Sequence, residues 1–206
     1  LVLDTENLKI ASIEAVDAKG HARALKYELA APVPNMGSKL TIAAPKHPHE
    51  VRIAYSTSPD ASGLQWLTAA QTADKKLPFL FSQSEATHAR SWIPLQDSPA
   101  IRFTYKARVT APTDVRVVMS APNDPKHALD GSFDFEQTHP IPSYLMAIAA
   151  GDLDVRETGP RSAVYAEPSV VAKAAHEFED TEKMIETTEK LYGPYRWGRY
   201  DILVLP

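Results

Sequence analysis

The sequence predicts a mainly β protein that ends in a short α/β segment. Up to Ala166 it consists largely of short runs in which apolar and polar residues alternate, the period of a half-buried strand. The 17 Pro and 8 Gly fit many short strands joined by stiff turns. Apolar residues at helical spacing appear only after Pro168, and one nearly continuous apolar run follows them.

Composition places the chain among globular proteins with a core of useful size. It has 206 residues, of which 44% are hydrophobic and 23% charged. A net charge of -4 gives no basic surface, so nucleic acid is not an expected partner. No apolar run is long enough to span a bilayer, so no membrane partner is expected. Because Cys is absent, disulfides and Cys-based metal sites are excluded, while the compartment stays undecided.

Alternation and turn residues together predict eleven strands before the helical region. A turn over residues 17–20 uses Gly20 for a positive φ, and Asp130-Gly131 is a hairpin signal. Trp66, with leucines on either side, is expected in the core. The predicted strands cover residues 8–16, 25–29, 39–43, 50–56, 77–81, 101–109, 115–120, 132–137, 144–150, 155–158 and 161–166.

The last forty residues predict one helix and one buried strand. Pro168 suits the first helical position, and Gly193-Pro194 ends the helix after Tyr192. Such a helix is about 35 Å long at 1.5 Å per residue. Residues 200–205 are almost all apolar, as expected of a strand buried on both faces.

Two histidine patterns suggest a metal site without completing one. His47 and His49 are separated by Pro48 and lack a nearby third ligand, so a solvated loop is predicted. His176 begins a pattern like the HExxH zinc helix, but Asp180 occupies the place of the second histidine. His176 is therefore expected on the polar face of its helix.

Residues 80–99 combine an amide, a hydroxyl, a carboxylate, an imidazole and a guanidinium directly after an apolar strand. Polar groups that converge at such a point often serve recognition, although composition alone favours a solvated turn. Ser84, His88 and Asp97 invite comparison with a hydrolase triad. Since no Gly-x-Ser-x-Gly elbow presents the serine, we interpret their proximity in the sequence as chance.

Five motifs in order resemble the zinc aminopeptidase-N family, and most closely its branch of leukotriene hydrolases and aminopeptidase B. The Leu64-Gln65-Trp66 block and the segment from Gln83 to Pro99 are the most specific. The motifs are LDTxxLxI from Leu3, SGLQWLT from Ser62, FSQSEA from Phe81, RxxxPxQDSP from Arg90 and GPYxWGxYD from Gly193.

The resemblance implies two domains. Residues 1–157 would form a saddle-shaped, sandwich-like β domain that lacks its first strands. Residues 158–206 would supply the opening helix and strand of a truncated, thermolysin-like catalytic domain. The family's zinc ligands and catalytic residues do not match any part of this chain, so Zn²⁺ is expected only in the full-length enzyme. The fragment alone is expected to be inactive, with the rest of its own catalytic domain as a partner.

The resemblance also implies a substrate-binding site at Gln83, Ser84 and Glu85. In relatives this loop helps to hold the free α-ammonium of a peptide, so peptides with a free N-terminus are the expected partners. An ammonium that leaves water needs a carboxylate and hydrogen-bond acceptors, because an unpaired buried charge is costly. Epoxide-hydrolysing relatives are expected to carry Gln in place of Glu85, which favours peptide hydrolysis here. The alternative is a free-standing β-module that binds a protein or peptide without catalysis.

Overall fold

A computed structural model describes residues 1–45 and 50–206. These residues form fifteen strands and two α-helices, which confirms the mainly β fold. They group into two compact units, each made of several stretches of chain. The first unit comprises Leu1–Gln65, Gln83–Arg102 and Ile141–Met146, and the second comprises Trp66–Ser82, Phe103–Pro140 and Ala147–Pro206.

The predicted elements appear in the predicted order, with shifts of a few residues at their ends, but Val2–Thr5, Ala22–Ala24 and Leu64–Leu67 were not predicted as strands. They are β1 Val2–Thr5, β2 Lys9–Val16, β3 Ala22–Ala24, β4 Tyr27–Leu29, β5 Ser38–Ile42, β6 Glu50–Ser56, β7 Leu64–Leu67, β8 Phe79–Ser82, β9 Arg102–Thr110, β10 Arg116–Met119, β11 Ser132–Pro142, β12 Ile148–Gly151, β13 Asp154–Glu157, β14 Ser162–Ala166, α1 Pro168–Glu177, α2 Thr181–Tyr192 and β15 Tyr200–Leu203.

The first unit contains two three-stranded antiparallel sheets, in the orders β1–β5–β4 and β3–β2–β6. Alternation along β2 turns Ile13 and Ala15 inward, where they cluster with Leu25, Leu40 and Ile42. Burying a large aliphatic side chain contributes about 1.5–3 kcal/mol, so this cluster is a real core. The turn after β2 has Gly20 at φ +85°, as predicted.

The second unit contains a four-stranded sheet, β10–β12–β8–β7, a ribbon of β9 and β11, and the sheet β13–β14–β15. All five residues of β14 are buried, and β15 runs parallel to it. Phe79, Val118, Ala149 and Tyr165 are central to the core of this unit. Strands β13 and β14 pair across the predicted domain boundary at residue 157, which remains a prediction.

The single helix predicted from Pro168 to Tyr192 is wrong in one respect, because the structure divides it into α1 and α2. Pro168 does occupy the first turn of α1, and Gly193 ends α2 at φ +94°. Between the helices, the Thr181 hydroxyl donates to the Phe178 carbonyl at 2.7 Å. Such a side-chain bond competes with the helical ladder, and the periodicity of apolar residues does not register it.

Three strands are more exposed than the sequence predicts, and each is an edge strand of its sheet. Residues Tyr27–Leu29 of β4 are exposed, and β15 is only partly buried. Trp66 in β7 is 58% exposed instead of lying in the core. An edge strand has a neighbour on one side only, and an apolar pattern cannot show which strand will lie at an edge.

Two loop predictions have different outcomes. Gly131 has φ +81°, but Asp130-Gly131 makes no two-residue hairpin, because the following strand β11 pairs with β9. The segment with His47 and His49 lies outside the described residues.

Among the helices that the structure describes, none is both long and apolar enough to cross a membrane.

Candidate functional site

The candidate site begins where β8 ends, at a tight turn whose backbone is held on both sides. The Gln83 amide donates to the Gly63 carbonyl at 2.9 Å, and the His88 amide donates to the Ser84 carbonyl at 2.9 Å. Within the turn, the Glu85 amide donates to the Gln83 side-chain oxygen at 3.1 Å. The peptide bond between Glu85 and Ala86 is cis.

The three predicted site residues divide into two outward-facing side chains and one buried side chain. Gln83 and Glu85 are exposed at the turn. Ser84 is only 2% exposed, and its hydroxyl oxygen accepts a hydrogen bond from the Trp92 indole at 3.0 Å. Gln83 and Glu85 can therefore meet a ligand, whereas Ser84 links the turn to the protein interior.

A buried ion pair organises the chain that follows the turn. The Asp97 carboxylate accepts from both the backbone amide and the Nε of Arg90, at 3.1 and 3.0 Å. Its second oxygen accepts from the Ser143 hydroxyl at 2.6 Å. The Arg90 guanidinium also donates to the carbonyls of Met36 and Asp97, at 2.6 and 3.1 Å. The buried charges are thus hydrogen-bonded on several sides, the arrangement that burying an ion pair requires.

Gly63 holds the turn from the other side. Its carbonyl accepts from the Gln83 amide, and its amide donates to the Ser91 hydroxyl oxygen at 2.9 Å. The Ser91 hydroxyl in turn donates to the His88 carbonyl at 2.7 Å. A Cβ on Gly63 would lie 2.5 Å from that same carbonyl oxygen, so only glycine fits this close approach. Its motif position in SGLQW was the only sequence signal for this role.

Ser84, His88 and Asp97 have separate partners, in agreement with the interpretation of their proximity as chance. His88 Nδ1 lies 2.8 Å from the Ser62 hydroxyl, which also donates to Glu6 at 3.0 Å. Ser84 is bonded to Trp92, and Asp97 to Arg90 and Ser143. The structure therefore does not bring the three together as a nucleophile, base and acid. His176 lies exposed on α1, as predicted, with its Nδ1 3.2 Å from Glu179.

Glu85 is the carboxylate in the turn that could take a cationic ligand. Within residues 1–45 and 50–206, its side chain has no ion-pair or hydrogen-bond partner. Asp97, the other carboxylate of this segment, is fully buried against Arg90. An exposed, unpaired carboxylate beside an exposed amide side chain offers the acceptors that an ammonium group requires.

Residues with metal-ligating side chains do not cluster in the described part of the chain. No group of three or more His, Asp or Glu side chains there could hold a metal ion. A zinc site needs at least three such ligands, so these residues do not fit zinc.

Comparisons with known proteins give a consistent result along the chain. The family described as Peptidase M1 N-terminal domain matches residues 1–145. The chain is 44% identical over 210 residues to leucine aminopeptidase 2 of Yarrowia lipolytica, covering 100% of this chain and 31% of that protein. It is 40% identical to leukotriene A-4 hydrolase of Xenopus laevis, covering 100% of this chain and 35% of that protein.

Solved structures show the same relationship. Native leukotriene A4 hydrolase from Saccharomyces cerevisiae superposes with a TM-score of 0.87 at 36% identity, covering 99% of this chain and 31% of the other. An M1 zinc metallopeptidase from Deinococcus radiodurans shares the fold with a TM-score of 0.72 at 20% identity, covering 100% of this chain and 48% of the other. The chain thus spans about a third of the length of the curated relatives it matches.

Proposed function

The chain belongs to the peptidase M1 family through its N-terminal domain, and from that premise we propose that it is part of an aminopeptidase. Its contribution is the turn that binds the α-ammonium of the substrate. Peptides with a free N-terminus are the proposed substrates. The observation that carries this proposal is the exposed carboxylate of Glu85, which has no ion-pair partner among residues 1–45 and 50–206, on a turn whose backbone is held on both sides.

The chemistry of the turn suits an ammonium group better than a neutral ligand. Glu85 supplies a negative charge, and the exposed Gln83 side chain supplies a neutral acceptor beside it. Hydrogen bonds between charged partners are roughly twice as strong as those between neutral ones, so Glu85 provides most of the attraction. Ser84 takes part in the site through its buried hydroxyl, which holds the backbone between the two exposed side chains.

This arrangement explains how an enzyme could act only at the end of a peptide. A fixed carboxylate holds the terminal ammonium at one place, so the first peptide bond lies at a constant distance from it. An internal stretch of peptide has no ammonium to offer. Glu85 also favours peptide hydrolysis over epoxide hydrolysis, because an epoxide brings no positive charge to the carboxylate.

Zinc belongs to this proposal only as part of the whole protein. The family implies a zinc ion that would act as Lewis acid in peptide hydrolysis. Since the described residues do not fit zinc, we propose that other parts of the full-length protein bind it. Residues of this chain bind and orient the substrate.

The proposal is tested with Glu85→Gln in the full-length enzyme. The substitution keeps the shape of the side chain and removes its charge, so kcat/KM should fall about ten- to hundredfold, equivalent to roughly 1.5–3 kcal/mol. Much of the loss should appear in KM, because the ammonium is held in the ground state and transition state alike. Gln83→Ala should lower kcat/KM less than Glu85→Gln does, since it removes a neutral contact.

Steady-state kinetics on an alanyl- or arginyl-arylamide provides the measurement, with the melting temperature as control. Folding should barely change, because Glu85 lies outside the core. Wild-type kcat/KM in Glu85→Gln would mean that the turn does not bind the α-ammonium and that the site assignment is wrong.

A further inference from the structure

Trp92 lies behind the candidate turn and contacts the residue between its two exposed side chains. We infer that Trp92 is a positioning residue, which fixes Glu85 for ammonium binding without touching the substrate. The inference rests on the proposed function of Glu85. In the sequence, Trp92 stands at an unspecified position of the RxxxPxQDSP motif, so neither the family motif nor any pattern singles it out.

The first link runs from the indole to the turn. Trp92 Nε1 donates to Ser84 Oγ at 3.0 Å, and Ser84 is 2% exposed. A buried hydroxyl that loses its partner is costly, so this bond resists any outward movement of Ser84. Because Glu85 is covalently joined to Ser84 and the turn closes through the His88 amide, a shift of Ser84 moves Glu85 too.

The second link runs from Trp92 to the body of the first unit. The Trp92 carbonyl accepts from the Tyr55 hydroxyl of β6 at 2.9 Å. Burial raises the pKa of Tyr55, which favours the protonated hydroxyl that donates this bond. The Trp92 ring also packs closely on Gly63, where an added Cβ would lie 3.1 Å from Cδ1. Gly63 accepts from the Gln83 amide, so Trp92 supports both residues that precede Glu85.

The consequence is that the turn stands on a rigid support although it is exposed. Small displacements of a binding group are expensive, since a misplacement of about 1 Å can cost about a hundredfold in rate. Removing the indole N–H should therefore weaken ammonium binding while leaving the rest of the substrate site intact.

The test compares two ligands of the full-length enzyme that differ only in the amino group. Leucinamide carries the α-ammonium, and 4-methylpentanamide is the same amide without it. Inhibition constants are measured for both with the wild type, Glu85→Gln, Trp92→Phe and the double variant. Trp92→Phe keeps an aromatic ring in place while removing the hydrogen-bond donor.

We expect Trp92→Phe to raise the inhibition constant of leucinamide about tenfold and to leave that of 4-methylpentanamide unchanged. In the Glu85→Gln background, Trp92→Phe should add little, because the two residues act through one contact. Ser84→Ala removes the acceptor of the same bond and should reproduce the selective loss. Trp66→Phe is the matched control, since Trp66 is 58% exposed and lies in the second unit. The ratio of the two inhibition constants in this variant should equal the ratio in the wild type.

Several results would overturn the inference. Equally weakened binding of both ligands in Trp92→Phe would indicate a general structural role. Selective loss in Glu85→Gln without any loss in Trp92→Phe or Ser84→Ala would refute the positioning role and leave the proposed function standing. No selective loss in Glu85→Gln would refute the proposed function, and the inference with it. If Trp92→Phe fails to fold, Ser84→Ala decides the question alone.

Discussion

In residues 83–99 the backbone is mostly irregular, and buried side chains supply many of its hydrogen bonds. Arg90, Asp97 and Ser143 satisfy one another there. Residues 161–203 are the reverse, with two regular helices and two paired strands. In α2 the large apolar side chains Met184, Leu191 and Tyr192 are exposed, although β14 is buried, and a partly exposed cluster of Arg161, Glu182 and Glu189 joins the start of β14 to α2. Regular secondary structure is therefore a poor guide to the local stability of a segment, because local stability depends on buried contacts and satisfied hydrogen bonds.

The largest effect should come from breaking the buried pair in the irregular segment. Asp97→Asn removes the charge that compensates Arg90, and the loss of one partner of a buried pair costs about 3–5 kcal/mol. Urea unfolding of the chain should show this loss as a lower midpoint. Asp134→Asn is the control, because its pair with Arg108 is exposed, and it should leave the midpoint nearly unchanged. Equal shifts in both variants would contradict the comparison.

A smaller effect of opposite sign is expected in the second segment, at Tyr165 of β14. This side chain is 1% exposed, and its hydroxyl has no hydrogen-bond partner among the described residues. Tyr165→Phe removes a buried group that has lost its contact with water, so the free energy of unfolding should rise by about 1 kcal/mol.

Tyr105→Phe serves as the matched variant for that prediction. The Tyr105 hydroxyl lies 3.1 Å from Ser120 Oγ, so its removal should lower stability by about 1 kcal/mol. Thermal unfolding of both variants, with the wild type, gives the two signs directly. A loss of stability in Tyr165→Phe would show that its hydroxyl is satisfied after all, and the contrast between the two segments would weaken.

The smallest expected effect is a loss of stability at acid pH, which comes from the cluster around Arg161. The Arg161 guanidinium, at 2.8 Å, and the Tyr195 amide lower the pKa of Glu189 below its usual value of 4.5. The folded state therefore binds fewer protons than the unfolded state in that range. The resulting stability is present above about pH 4.5 and is lost as the pH falls through the lowered pKa.

Melting temperatures of the wild type and Glu189→Gln between about pH 6 and pH 3 should show this dependence. The wild type should have the higher melting temperature near pH 6, and the difference should shrink in acid. Glu186→Gln changes an exposed carboxylate on the same helix and should show no such trend. A difference between wild type and Glu189→Gln that stays constant across this range would refute the role of the cluster.

Much of this protein follows from its sequence alone. Alternating residues located most strands but not β1, β3 and β7, Pro168 and Gly193 marked the outer ends of the helical region, and five motifs indicated the family. The turn with Gln83 and Glu85 was also located, and the structure places both side chains at the surface. These features depend on neighbouring residues, since local sterics and the periods of strand and helix operate over a few positions.

Only the tertiary structure decided which side chains meet. Ser84 turns inward to Trp92, Asp97 bonds to Ser143, which is 46 residues away, and Trp66 faces outward on an edge strand. A periodic pattern predicts whether a side chain on a strand is buried or exposed, but it does not show which other side chain it will contact. The partner depends on sheet order, register and the path of distant loops. For that reason the sequence predicted the turn that we propose as a binding site, whereas its support by Trp92 and Gly63 became visible only in the folded chain.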